Sequence, residues 1–246
     1  MTEPAASAAL DEAAVLALLA EGEIELEGRL VDASNATLFG TVSRGEAGLH
    51  VVYKPVRGER PLWDFPDGTL AGREVSARLV SVAGGFDVVP PTVLRDGPFG
   101  PGMVQMWVEV DERVDVERLV RSRTDTRLRR MALFDAVVNN GDRKGGHLLP
   151  TAEGHLYGCD HGVTFHVEDK LRTLLWQWRG VALASDETAL LRGLRARLEG
   201  ALGAELAEHL TGAEVLFTLG RVERLLAEGV FPTPSGDWPA IPWPPF

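Results

Sequence analysis

Strand-like and helix-like patterns are segregated along this chain, and that order limits the fold more than any compositional figure does. Up to about residue 110 the apolar residues mostly alternate with polar ones, and beyond residue 114 they recur at helical spacing. A chain ordered in this way builds an α+β fold with strands gathered in one part and helices in another. It does not build a doubly wound sheet, in which the two types must alternate.

Residues 8–19 are rich in alanine and leucine and run into Gly22, the pattern of a helix with a glycine stop. Residues 23–32 alternate through Ile24, Leu26 and Leu30, as a half-buried strand does. A polar turn at Ser34-Asn35-Ala36-Thr37 follows, then strands over 37–42 and 49–56 around a hairpin tip at Arg44-Gly45-Glu46. After a loop at 61–68 the spacing predicts a helix over 70–83, halted by Gly84-Gly85, and strands over 92–95 and 103–110. Helices are expected over 115–121, 124–138 (capped by Thr124 or Asp125), 185–198, 204–209 and 213–228. Residues 232–246 hold six prolines and two tryptophans, so they cannot form a regular helix. The expected division is a strand-rich part over 1–107, a helical part over 108–246 with a tail at 232–246, and a hinge near 105–110.

A net charge of -11 argues against nucleic acid as a partner and against docking on anionic lipid, since both reward lysine and arginine. Six arginines between 118 and 130 form either a local basic patch or a solvated helix face. No apolar run approaches the roughly 20 residues of a membrane span, so no stable membrane insertion is expected. The acidic N-terminus lacks the basic flank of a secretory signal, and the single cysteine, Cys159, excludes an internal disulfide. The expected compartment is the cytoplasm.

Chemistry concentrates in two polar, glycine-flanked turns. Asn139-Asn140-Gly141-Asp142-Arg143-Lys144-Gly145-Gly146-His147 is entered from the apolar run 131–138, and Cys159-Asp160-His161-Gly162 from Leu156-Tyr157. Each turn carries a lone carboxylate. Upstream, Lys54 lies between apolar residues on a strand, where it faces either solvent or a partner anion, and Glu74 lies in the next predicted helix. The nucleophile elbow of serine hydrolases and the His-Glu-x-x-His helix of zinc proteases have no counterpart here.

An Asp-Arg loop followed by an Asp-x-Gly turn resembles the catalytic and metal-binding loops of the protein-kinase-like superfamily. It is most similar to the branch of phosphatidylinositol 3/4-kinases and HipA-type kinases, where Gly-Asp-Arg or Asn-x-Asp-Arg replaces His-Arg-Asp. Within that branch it resembles small actinobacterial phosphatidylinositol 3/4-kinase-like proteins. The resemblance implies a two-lobed fold and transfer of phosphate from ATP to a protein or small-molecule hydroxyl. It implies that Asp142 orients the acceptor hydroxyl, that Arg143 neutralises the loop or contacts phosphate, and that Lys144 offsets charge on the transferred group. Asp160 would hold magnesium on the triphosphate, and Lys54, paired with Glu74, would bind the α- and β-phosphates. Ser34 and Asn35 occupy the place of the phosphate-covering loop without its glycines, and Gln105 at the hinge completes the nucleotide-binding set.

His147 departs from the family pattern, which has a metal-binding asparagine there. Were the imidazole a ligand, manganese would compete with magnesium, which prefers oxygen. The departure keeps open a pseudokinase that acts as a regulatory binding module. A nucleotidyl transferase on the same fold is a further alternative. Residues 172–180 stand in the place of the activation segment, and only Lys170, Arg172 and Arg179 are available there to bind inositol phosphates. Phosphoinositide is therefore not the expected acceptor.

Overall fold

A computed structural model describes residues 10–30 and 36–246. In chain order its elements are α1 (Glu12–Glu21), β1 (Glu23–Arg29), β2 (Leu38–Arg44), β3 (Ala47–Pro55), α2 (Leu70–Ala83), β4 (Thr92–Gly97) and β5 (Gly100–Met106). Then follow α3 (Val116–Leu119), α4 (Thr126–Val138), β6 (Leu148–Pro150), β7 (Leu156–Gly158), α5 (Ser185–Leu198), α6 (Ala201–Leu206) and α7 (Gly212–Glu228). Contacts divide the chain into two units, one of Met1–Val75 with Pro90–Trp107 and one of Ser76–Val89 with Val108–Phe246. The division falls inside α2.

The first unit is an antiparallel five-stranded sheet in the order β1-β2-β3-β5-β4. Along β3 the side chains alternate: Val51 and Tyr53 are buried, while His50, Val52 and Lys54 belong to the other face. Val51 and Tyr53 join Val42, Val104 and the α1 residues Val15, Leu18 and Leu19 in one apolar core. Lys54 is thereby turned to the face away from that core. The β2–β3 tip contains Gly45 at φ +64, a left-handed turn position that suits glycine.

Two strand expectations shift. The last strand begins at Gly100 and stops at Met106, and β4 extends to Gly97 to meet it in a hairpin. The expected strands leave residues 96–102 between them, yet Gly102 is a strand residue. A side chain there would come within 2.6 Å of the Tyr53 ring and of the Lys54 carbonyl, so close packing requires glycine.

The regular structure of the second unit is helical apart from the short β6–β7 pair. Its centre is α4, whose residues 131–138 are all buried against Leu191, Leu194 and Leu198 of α5, Leu202 and Leu206 of α6, and Val222 and Leu225 of α7. A helix stretch that is buried on every side belongs in a core. Its cap is Asp125 rather than Thr124: one carboxylate oxygen accepts from the Arg127 N–H at 2.9 Å and the Leu128 N–H at 3.3 Å. Three of the six arginines are paired, Arg121 with Glu117, Arg127 with Asp125 and Arg129 with Glu187. Among the described residues, no helix is long and apolar enough to cross a membrane.

The Asp125 cap carries a prediction. Its hydrogen bonds from the Arg127 side chain hold the carboxyl below its ordinary value, so the ionised form stabilises the fold. Asp125→Ala is expected to cost about 1 kcal/mol, within the usual 0.5–2 for a lost cap. A depressed folded-state value means this contribution is full above the unfolded value of about 4 and is lost as pH falls through the lower folded value. Urea denaturation of both proteins at pH 7 and pH 3 checks it: the gap should narrow at pH 3, and a constant gap would mean the charge plays no part.

Candidate functional site

In the first unit, Lys54 and Glu74 are brought together. The Lys54 Nζ lies 2.7 Å from Glu74 Oε1, with the two side chains 16% and 3% exposed. Glu74 stands on the second turn of α2, where it serves Lys54. The helix start is capped instead by Glu59, whose oxygens accept from the N–H groups of Leu70 (3.1 Å) and Ala71 (2.8 Å). Gln105 lies on β5 between Val52 and Thr92, and its side-chain amide donates to Thr92 Oγ1 at 2.8 Å. It is buried and tied into the sheet. Ser34 and Asn35 lie outside the described residues.

In the second unit, α4 ends at Asn139 in the left-handed region (φ 52), which throws the chain into the Asp142 loop. From Gly141 to Gly145 the loop's backbone donors are all engaged. The N–H of Gly141 goes to Val163 O, that of Asp142 to Asn140 Oδ1, that of Arg143 to Arg172 O and that of Gly145 to Pro245 O, all within 3.1 Å. The Lys144 N–H has a longer contact of 3.5 Å to His147 Nδ1. Asn139 fastens the loop's base by donating to His166 O and Glu168 O and accepting from the Lys170 N–H. What this scaffold leaves exposed is the Asp142 carboxylate, 28% exposed, with Lys144 Nζ 3.1 Å away.

Arg143 is turned inward. It and Asp135 are both 0% exposed and form an ion pair at 2.9 Å, with the guanidinium Nε also on the carboxylate. Further donations reach Cys159 O (3.1 Å) and His161 Nε2 (2.7 Å). Since guanidinium has donors only, His161 Nε2 accepts and the proton of the ring is on Nδ1. Of the two roles expected for Arg143, contact with a phosphate is ruled out by this burial. It locks the Asp142 loop to the Asp160 turn. Asp135 was not picked out from sequence. It also accepts from Asn140 Nδ2 (3.0 Å) and Thr173 Oγ1 (3.3 Å), and its signal was a lone charge inside the apolar run 131–138.

The Asp160 turn leaves β7 through Gly158, where a side chain would come within 2.8 Å of the Arg143 guanidinium. Asp160 has φ 59, a conformation non-glycine residues adopt at a cost and which is enriched at functional sites. Its carboxylate is 47% exposed, and Oδ2 lies 3.5 Å from His147 Nε2. Burial pushes the His147 imidazole below its ordinary value, against the opposing pull of Asp160, so the ring is neutral at pH 7. With Nδ1 turned to the Lys144 N–H, the neutral ring's proton sits on Nε2 and points at Asp160.

Among the described residues there is no group of three or more His, Cys, Asp or Glu side chains placed to hold a metal ion. The local donor set is one exposed carboxylate with an imidazole beside it. That set fits magnesium or manganese held jointly by one or two protein oxygens and the oxygens of a bound triphosphate. It does not fit an all-protein cage.

No protein-family model matches the chain. The Mycobacterium tuberculosis protein named Protein Rv2133c is 45% identical to it over 94% of this chain and 95% of the relative. Among solved structures, hydra Fam20 with sugar superposes with a TM-score of 0.61 at 16% identity, covering 93% of this chain and 91% of that one. The Golgi casein kinase with Mn/ADP bound gives 0.60 at 13% identity, covering 88% and 75%. These likenesses show a protein-kinase-like α+β fold.

Proposed function

The chain belongs to the family of the Mycobacterium tuberculosis protein Rv2133c, and we propose that it is an ATP-dependent phosphotransferase acting on a hydroxyl of a protein or small molecule. The observation that carries this is the Lys54–Glu74 ion pair. A nearly buried pair contributes little to stability, because desolvation offsets most of its Coulombic gain. Its use is to hold an ammonium in one orientation for the α- and β-phosphates. We assign nucleotide binding to residues 1–107 and acceptor chemistry to 108–246. The Mn/ADP held by the Golgi casein kinase supports nucleotide and divalent metal as ligands.

Within that assignment each residue has a task. Asp142, fixed by its claimed backbone, orients the acceptor hydroxyl and takes its proton, and Lys144 stands beside it to offset charge on the transferred group. Arg143 and Asp135 keep the Asp142 loop and the Asp160 turn in register. Asp160 would hold the metal, which when bound neutralises charge on the β- and γ-phosphates. His147 orients the Asp160 carboxylate. The Asp142-Arg143 order favours the phosphatidylinositol 3/4-kinase-like and HipA-like branch over the eukaryotic protein kinases. Phosphoinositide remains disfavoured as acceptor, because Trp176 and Trp178 of the 172–180 segment are buried and Lys170 is paired with Glu168.

Purified protein with γ-labelled ATP, with and without a lysate of the source organism, tests the assignment. Transfer of label with release of ADP is expected, and Lys54→Met should lower it by about 10² or more, the range of an electrostatic contact to a transferring phosphoryl group. Release of pyrophosphate would instead mean nucleotidyl transfer, and ATP binding with no turnover a regulatory module.

The metal assignment is separable. Asp160→Ala should abolish the metal-dependent part of ATP affinity in calorimetry. His147→Ala should weaken metal affinity by about 10- to 100-fold, as loss of a ligand-orienting residue does. His147→Asn should leave the manganese-to-magnesium activity ratio unchanged. A ratio shifted toward magnesium would put the imidazole on the metal itself.

A further inference from the structure

The segment at 232–246 forms no helix or strand, yet it is fastened to the second unit at several points. The Ala240 carbonyl accepts from the Thr173 N–H (3.1 Å) and from Trp176 Nε1 (2.7 Å). Lys170 Nζ lies 4.4 Å from the centre of the Trp238 ring. The Pro245 carbonyl accepts the Gly145 N–H at 2.8 Å. The Phe246 ring covers Gly145 so closely that a Cβ there would lie 2.2 Å from it.

These attachment points share a property. The Lys170 N–H is held by Asn139, at the base of the Asp142 loop. Thr173 bridges to the Arg143 backbone and donates its hydroxyl to Asp135. Gly145 is the third residue after Asp142 and belongs to the loop itself. From within, the loop hangs on Asp135, Asn139 and Asn140. From without, its far end is gripped by Pro245 and Phe246. Prolines at 239, 242, 244 and 245 restrict the unbound segment, so seating it costs less conformational entropy than an ordinary strap would.

Resting on the phosphotransferase reading, we propose that Pro245 and Phe246 are positioning residues, a strap that seats the Asp142–Gly145 end of the catalytic loop. They do not touch the reacting atoms. They set where Asp142 and Lys144 stand.

Three variants decide it: Gly145→Ala, Phe246→Ala and the two combined, each assayed for kcat and for KM of ATP. Gly145→Ala drives a methyl into the Phe246 ring and should lower kcat on the order of 10²-fold, the cost of a displacement near 1 Å. KM for ATP should stay within about twofold, since the loop is not assigned to nucleotide binding. Removing the ring as well relieves the clash, so the double variant should recover about tenfold over Gly145→Ala. A Gly145→Ala variant that melts at the wild-type temperature shows that its loss is one of positioning and not of folding. A double variant no better than the single, or a KM that changes as much as kcat, would overturn the proposal. Amide hydrogen exchange reads the seat without catalysis. The Gly145 amide should be protected in the wild type and exchange about tenfold faster in Phe246→Ala, while Phe246→Leu keeps protection. Equal exchange in wild type and Phe246→Ala would remove the strap. A protected Gly145 amide in a wild type that transfers no phosphate would remove the phosphotransferase reading and, with it, the positioning role, but leave the seat.

Discussion

Asp135→Ala is expected to destabilise the protein by about 3–5 kcal/mol, the range for removing one partner of a buried ion pair. Both Asp135 and Arg143 are 0% exposed, so the variant leaves a guanidinium with no water and no counter-charge. It also strips the acceptor from Asn140 Nδ2 and Thr173 Oγ1. For a chain of this length, each kcal/mol corresponds to roughly 2–4 °C, so the melting temperature should fall by about 6–20 °C. Urea denaturation monitored by tryptophan fluorescence measures the same loss. Combining Asp135→Ala with Arg143→Met should recover a large part of it, because replacing a buried pair on both sides is far cheaper than breaking it on one. A single-variant loss below 1 kcal/mol would mean that water or a rearranged side chain satisfies Arg143, and the lock between the two turns would then be dispensable.

The same residue shows where sequence reasoning stops. Helices α2 and α5 take the bounds expected of them, because spacing, caps and the Gly84-Gly85 stop are local signals. The β2–β3 hairpin was legible for the same reason, with Gly45 at its left-handed corner. The β4–β5 hairpin was not, since Gly102 is required by the ring of Tyr53, a partner across the sheet. The Asp142 and Asp160 turns stood out as lone carboxylates among glycines. Asp135 did not, because a periodicity argument treats a charge in an apolar helix as an interruption, and only Arg143 eight residues later explains it. The inward turn of Arg143 was equally hidden, as a side chain's direction out of a loop depends on what awaits it. Phe246 over Gly145 spans a hundred residues of chain and leaves no local trace.

Asp142→Asn is expected to lower turnover by about 10²- to 10⁴-fold, the contribution of a positioned general base, while ATP affinity stays at the wild-type level. The substitution is nearly isosteric. The Asn140 Oδ1 bond to the residue-142 N–H and the four other backbone bonds of the loop do not involve the side chain, so the loop should stay in place. What changes is that an acceptor of protons becomes an amide, and the ion pair with Lys144 at 3.1 Å becomes a weaker contact. Lys144→Met separates these two losses: if its effect is small, the decline in Asp142→Asn belongs to the missing base and not to the missing pair. Single-turnover measurements with saturating ATP isolate the transfer step from product release. Turnover at the wild-type rate would remove Asp142 from the reaction. A parallel fall in ATP affinity would make it a nucleotide ligand instead, and the assignment of Asp160 as the metal-holding carboxylate would then have to be exchanged with it.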